Sequence, residues 1–349
     1  MLQPSSYMKS HINIHLRIAK FQLRLHPVFI FLLAVAGILT YLHTFTTMTT
    51  ITLPPPNAKY QFSVLPNIFK QGLPDTDADT FEYAKENFGL IQQSYPSDDT
   101  LENASEKTQW QRFEHHIQEL NKNAEEGVEY KVLYLGRHGQ GYHNVAESRY
   151  GTKLWDDYWA KQEGDEHANW ADAHLTPIGE QQALDVNTFW KSALTTAKVP
   201  APEVYYTSPF YRCLQTAWLS FHNLDLPADK PFIPIVKELL RETNGVHTCD
   251  RRGPSSIIRT DFPTYILEPG LPETDISWTP DHREKPAEHV LREHICLEQI
   301  FAEDKSVFLS ITAHSGTIAA VLGALGHRPF ALPTGGVIPV AVRAEKLRR

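Results

Sequence analysis

From about residue 130 onward, short apolar runs alternate with stretches of helical periodicity, and this alternation constrains the fold more than any other feature of the chain. Runs rich in Val, Leu, Ile and Tyr fall at residues 132–135, 204–206, 232–236, 307–312 and 337–342. Between them, Ala183, Val186, Trp190, Ala193 and Leu194 recur on one helical face. A helix is predicted from Pro209, another opens at Pro286 with Val290, His294, Leu297 and Phe301 aligned, and a further one is expected near 317–325. Strand and helix in turn predict an α/β layered fold with a mostly parallel sheet, because parallel neighbours need a crossover. At 349 residues and 42% hydrophobic composition, there is apolar material for one large core or two small ones.

The N-terminal part reads differently. A basic tail over 1–27 holds Arg17, Lys20 and Arg24, and an uncharged apolar segment follows over 28–47. A linker over 48–60 contains Pro54, Pro55 and Pro56, and the main domain spans 61–349. The apolar segment is near the lower limit of a membrane span. Three readings stand side by side: a single-pass anchor with its basic end in the cytosol, a signal peptide cleaved near Ala34-Val35-Ala36, or a stretch absent from a cytoplasmic chain started at Met48. The net charge of −8 carries no basic surplus, which argues against a nucleic-acid partner. Cys213, Cys249 and Cys296 are odd in number, far apart and without a CxxC spacing, so no disulfide framework or zinc site is expected.

After the prolines, Phe81, Ala84 and Phe88 predict one helix, and Trp110, Phe113, Ile117 and Leu120 a second. Asn103, with Glu106 three residues on, is the expected N-cap. Residues 253–286 carry six prolines and little periodicity, which suggests a lid over a functional site.

Four cationic or imidazole side chains stand where strands end, which is where open α/β sheets bind ligands. Arg137 and His138 follow the run at 132–135, Arg212 lies just past the run at 204–206, and His314 follows the run at 307–312. A transferring phosphoryl group spreads charge over three oxygens, so its catalysis is mostly positioning and charge stabilisation. Arginine supplies bidentate donors for phosphate, and a neutral imidazole is a nucleophile near pH 7. Gly139 lets the backbone approach closely, and the helix after it would aim N–H groups at an anion.

LYLGRHGQGYHN (133–144) resembles the phosphohistidine signature of the histidine phosphatase superfamily. HLTPIGEQQA (174–183), YTSPFYRCLQTA (206–217), LLRETNG (239–245) and TAHSGTIAAVLGAL (312–325) resemble its remaining elements, in family order over well over half of the chain. LRETNGVHTCDRR (240–252) and KYQFSVLPNIFKQ (59–71) look most like a fungal-type, phosphoglycerate-mutase-like branch. The resemblance implies a three-layer α/β/α sandwich with a mostly parallel sheet. It implies a small phosphorylated substrate, no cofactor and no metal. Position by position, His138 is similar to the nucleophile, Arg137 and Arg212 to the phosphate clamps, His314 to the histidine that steadies the transferring group and Glu242 to the acid. Asn144 and Ser315 resemble further phosphate-pocket residues.

The acid phosphatase branch of that superfamily carries an Asp directly after its second histidine, where this chain has Ser315, so the acid must come from elsewhere. Glu242 is the candidate, with Glu238 close by in sequence. Because the chain departs from the mutase pattern around Glu242, phosphomonoester hydrolysis is favoured, with phosphoryl isomerisation or non-catalytic binding of a phospho-ligand as alternatives. Arg251, Arg252 and Arg259 offer either a second anion subsite or a solvated basic patch.

Overall fold

The apolar runs pair as a single sheet. In a computed structural model that describes residues 54–348, the strands are β1 (Tyr60–Val64), β2 (Val128–Arg137), β3 (Val204–Thr207), β4 (Ile235–Val236), β5 (Ile266–Leu267), β6 (Phe308–Ala313) and β7 (Val337–Lys346). Their order is β1-β7-β2-β6-β3-β4-β5. The pairings β2–β6, β6–β3, β3–β4 and β4–β5 are parallel, and β7 is antiparallel to both β2 and β1. The apolar segment at 28–47 lies outside the described residues. Among the described residues no helix is long and apolar enough to cross a membrane.

Successive side chains of a strand point to opposite faces, so each strand feeds two cores. On one face Val132, Tyr134, Tyr205 and Phe308 pack with Trp110, Phe113 and Ile117 of α1 (Gln109–Lys122) and with Val186 and Trp190. On the other, Leu133, Leu135, Leu309 and Ile311 pack with Leu297, Ile300 and Phe301, and with Ile318, Val321 and Leu322. The remaining helices in chain order are α2 (Tyr142–Tyr150), α3 (Thr152–Asp157), α4 (Pro177–Ser192), α5 (Tyr211–Phe221), α6 (Ser255–Asp261), α7 (Pro286–Glu303) and α8 (Ser315–Ala324). Thus α1 and α4 cover one face of the sheet, and α7 and α8 the other.

Four sequence expectations need correction. Residues 81–88 form no α-helix, because their aromatics serve different cores. Phe81 packs edge-on against Phe330 on one side, whereas Phe88 stacks on Tyr134 and meets Trp190 on the other. Positive φ at Asn87, Phe88 and Gly89 makes that turn. The cap of α1 is Thr108, not Asn103: Thr108 Oγ1 accepts from the Gln111 N–H while the Gln111 side chain accepts from the Thr108 N–H. The strand expected over 232–236 shortens to Ile235–Val236, since Pro231 and Pro234 lack the N–H a ladder needs. The stretch 253–286 is not a uniform lid, because its first half folds into α6 and the edge strand β5.

Thr108→Ala is expected to lower unfolding free energy by about 1 kcal/mol in urea titrations. Asn103→Gly, which accepts the positive φ there, should leave it within error. An equal loss in both would return the cap to Asn103.

Candidate active site

The parallel ladder sets three strand ends level. Arg137 is opposite Ala313, and Thr207 opposite Thr312. The His138 N–H donates to Ala313 O at 3.0 Å and the Ser208 N–H to Thr312 O at 3.0 Å. His138, Ser208 and His314 therefore leave the sheet side by side, with the His138 and His314 ring centroids 5.1 Å apart.

The loop after His138 is seated on the start of α4. A Cβ on Gly139 would lie 2.2 Å from Gly179 O, and one on Gly179 would lie 2.1 Å from Gln140 O, so both positions require glycine. The Thr176 hydroxyl donates to Gln140 Oε1 at 2.8 Å, and the Gln140 N–H to Gln182 Oε1 at 2.8 Å. This explains physically why the segment 174–183 accompanies the segment 133–144: one clamps the other. Asn144 Oδ1 accepts from the Gly141 N–H at 2.9 Å and fixes the first turn of α2.

These elements enclose a cavity of about 290 Å³ lined by Arg137, His138, Asn144, Arg212, Glu242 and Ser315, among others. His138 is buried, and its Nδ1 lies 2.6 Å from Gly139 O. A carbonyl only accepts, so Nδ1 carries the proton and Nε2 keeps its lone pair. Burial, followed by Arg212 and Arg137, holds its pKa well below the ordinary value of 6.5, against the bond to Gly139. Arg137 donates from Nη1 to Leu332 O at 2.7 Å, while its buried Nε has no partner among the described residues.

Arg212 is 1% exposed. It donates to Cys249 O at 2.7 Å, to Asp250 Oδ1 at 3.1 Å and, through Nε, to His314 Nδ1 at 3.2 Å. With Nδ1 accepting, His314 carries its proton on Nε2, which lies 2.7 Å from Ser208 Oγ. His314 thus stands behind the cavity wall, against His138 and Arg212. Burial works against the Arg212 charge, but Asp250 leaves its pKa raised.

Glu242 sits at the start of α8. Its Oε2 accepts from the Gly316 N–H at 3.0 Å and its Oε1 from the Thr243 N–H at 2.8 Å. A Cβ on Gly316 would lie 2.1 Å from Glu242 Oε1, so the glycine admits the carboxyl group. Burial, then Asp250, raises its pKa, against those two amides and Arg212. Glu238 is instead tied to Arg241 at 2.8 Å and Arg252 at 3.1 Å, and does not line the cavity.

The basic residues 251, 252 and 259 stay away from the cavity. Arg251 pairs with Glu163, Arg252 with Glu238, and Arg259 bonds Ser255. In their place the segment 253–286 sends in Arg283, which donates to Asp250 Oδ2 at 2.8 Å. Sequence reasoning missed His143, Asp250 and Arg283 in the cavity wall. His143 stood one residue from the singled-out Asn144, but Asp250 and Arg283 meet only through the folded loops. His247, Cys249 and Asp250 bring ligand-type atoms within 4.8 Å of one another. Both Asp250 oxygens are occupied by guanidinium groups, which disfavour a further cation.

Comparison with known proteins agrees with this geometry. The profile of the histidine phosphatase superfamily (branch 1) matches residues 133–336. A probable phosphoglycerate mutase of Arthroderma benhamiae is 52% identical over 284 residues, 81% of this chain and 84% of that protein. A probable phosphoglycerate mutase of Saccharomyces cerevisiae is 37% identical over 279 residues, 74% of this chain and 92% of that protein. A phosphomutase-like protein of Candida albicans is 32% identical, covering 86% and 84%.

His138, His143 and His314 are all buried with pKa values well below 6.5, burial being the first cause and Arg212 the next. In the unfolded chain they protonate near pH 6.5. The unfolded state therefore binds more protons below that pH, and stability must fall as pH drops from about 7 to 5, each histidine contributing up to ~1.4 kcal/mol per pH unit. Urea unfolding at several pH values in that range should show the decline, with a shallower slope in His143→Phe. A flat profile would contradict the neutral burial.

Proposed function

The chain belongs to the histidine phosphatase superfamily, and from that footing we propose that it is a phosphomonoester hydrolase working through a phosphohistidine on His138, on a small phosphorylated metabolite. The observation that carries this reading is the convergence of Arg137, Arg212 and Glu242 on a cavity where His138 is held neutral with Nε2 unprotonated.

In the first step His138 Nε2 attacks phosphorus and the ester P–O bond breaks. The proton of Glu242 goes to the departing oxygen. Arg137 and Arg212 carry the charge on the equatorial oxygens, Arg212 held by Asp250 and steadied by His314. In the second step water attacks phosphorus, the P–N bond breaks and the water proton returns to Glu242. Asn144 holds the α2 turn beside the phosphoryl group, and Ser315 offers its hydroxyl from the rim.

Hydrolysis is preferred because the cavity wall includes exposed groups: Ser315, and Asp156 with 54% of its side chain accessible. A mutase has to shield its phosphohistidine from water. The names of the fungal relatives favour the second reading, phosphoglycerate isomerisation.

The full chain and its His138→Ala and Glu242→Gln variants should be assayed for phosphate release on a phosphomonoester panel, and for phosphoglycerate interconversion with a bisphosphoglycerate primer. Release is expected to fall by about a thousandfold or more in His138→Ala, and by ~10²-fold or more in Glu242→Gln on alkyl esters. Interconversion far faster than release would establish the mutase instead.

A further inference from the structure

Glu242 touches a second set of polar groups that the two transfer steps leave unused. Thr243 Oγ1 lies 3.3 Å from Glu242 Oε1 and 3.4 Å from His289 Nδ1. His289 Nε2 lies 3.6 Å from Glu293 Oε1, one turn further along α7. Four side chains thus line up from the cavity into the protein interior, the last link between His289 and Glu293 being wider than a hydrogen bond. His289 is 4% exposed and Glu293 0%. Among the described residues, His289 Nε2 and Glu293 Oε2 are buried without a hydrogen-bond partner. Such atoms are costly to bury, and both lie at the interior end of this line, where Glu293 Oε1 already accepts from Arg292.

The line is held rigidly. Arg292, also on α7, donates to Arg241 O at 3.0 Å and Glu242 O at 3.2 Å, and pairs with Glu293 at 2.8 Å and Glu284 at 2.7 Å. It therefore anchors the Glu242 loop to the helix that carries His289 and Glu293.

We propose that Glu293 holds a proton in reserve for Glu242, passed through His289 and the Thr243 hydroxyl, so that Glu242 is supplied in its acid form at neutral pH. This rests on the phosphoryl-transfer reading of the site. In the reserve state Glu293 is protonated and donates to His289 Nε2, His289 Nδ1–H donates to Thr243 Oγ1, and the Thr243 O–H donates to ionised Glu242. In the loaded state each proton has moved one link: Glu293 is ionised, His289 carries its proton on Nε2, the Thr243 hydroxyl donates to Nδ1, and Glu242 holds the acid proton. One O–H or N–H bond breaks at each donor and one forms at each acceptor, His289 stays neutral throughout, and the net change is one proton from Glu293 to Glu242. A hydroxyl and a neutral imidazole each donate once and accept once, as both states need. The links of 3.3–3.6 Å are long, and apo catalytic hydrogen bonds commonly tighten on substrate binding.

The electrostatics agree. Burial raises Glu293 well above its ordinary value against Arg292, with Glu284 and then Glu242 adding to the rise, and burial and Asp250 raise Glu242 against two amides and Arg212. Burial and Arg292 push His289 down to about 3, which keeps it neutral. The other charged or titratable groups that interact with the line are Arg137, Arg212, Cys213, Asp250, Arg283, Glu284, Cys296 and His314. His289 and Glu293 touch no reacting atom and are positioning residues.

The test uses the full chain, His289→Ala and the near-isosteric Glu293→Gln, with kcat/KM measured from pH 5 to 9. p-Nitrophenyl phosphate has a leaving group that needs no acid, whereas a simple alkyl phosphate does. Both variants should lose roughly tenfold or more on the alkyl ester above neutral pH. Their basic limb should move to lower pH, while the nitrophenyl ester stays within about twofold. That retained activity also reports an intact site, and Glu293→Gln carries the test alone if His289→Ala does not fold. Equal losses on both esters with an unmoved pH profile, or no change on either, would overturn the relay. Absence of any His138-dependent release from the wild type would instead overturn the reading of the site, and the relay with it.

Discussion

Two backbone hydrogen bonds, from His138 to Ala313 and from Ser208 to Thr312, hold three strand ends at the same height. A one-residue slip of β2 against β6 would exchange the two cores and turn His138 away from His314, because side chains alternate across a sheet. The aligned ends turn groups that are more than sixty residues apart in sequence into neighbours. The glycine contact between Gly139 and Gly179 then fixes the loop after His138, and Gly316 makes room for Glu242 beside the start of α8.

Charge burial is the second constraint. Arg212 is nearly inaccessible, and a buried guanidinium needs a counter-charge and a full set of acceptors. Asp250 supplies the charge, the Cys249 carbonyl and His314 accept further donors, and Arg283 meets the other Asp250 oxygen. The same burial keeps the neighbouring histidines neutral and resists ionisation of Glu242, with Arg212 adding to the first effect and Asp250 to the second. A nucleophile that must be unprotonated and an acid that must be protonated thus share one environment, with opposite charge requirements met by the same low polarity and adjacent charges.

Much of this was legible in the sequence, because strand ends and helix starts are local signals. Arg137, His138 and Arg212 each sit beside an apolar run, Glu242, Asn144 and Ser315 were reached through the family resemblance, and the structure gathers all six around one cavity. The rest depended on tertiary contacts. Helical spacing at Phe81, Ala84 and Phe88 could not reveal that Phe81 and Phe88 belong to different cores. Asn103 was the expected cap, and only the folded contact between Thr108 and Gln111 moves it five residues on. Asp250 ends a single 3-10 turn and Arg283 lies in a loop, both without periodicity, and their meeting over Arg212 has no sequence signature. Nothing in the sequence around His289 hinted that it would face Glu293 behind Glu242.

The central claim is a covalent intermediate on one nitrogen. Rapid-quench labelling during turnover of a phosphomonoester, followed by peptide mapping, tests it directly. The account predicts an acid-labile, alkali-stable phosphoryl group on His138, attached at Nε2 and absent from His138→Ala. Turnover with no covalent phosphoryl group, or a label on any other residue, would contradict it.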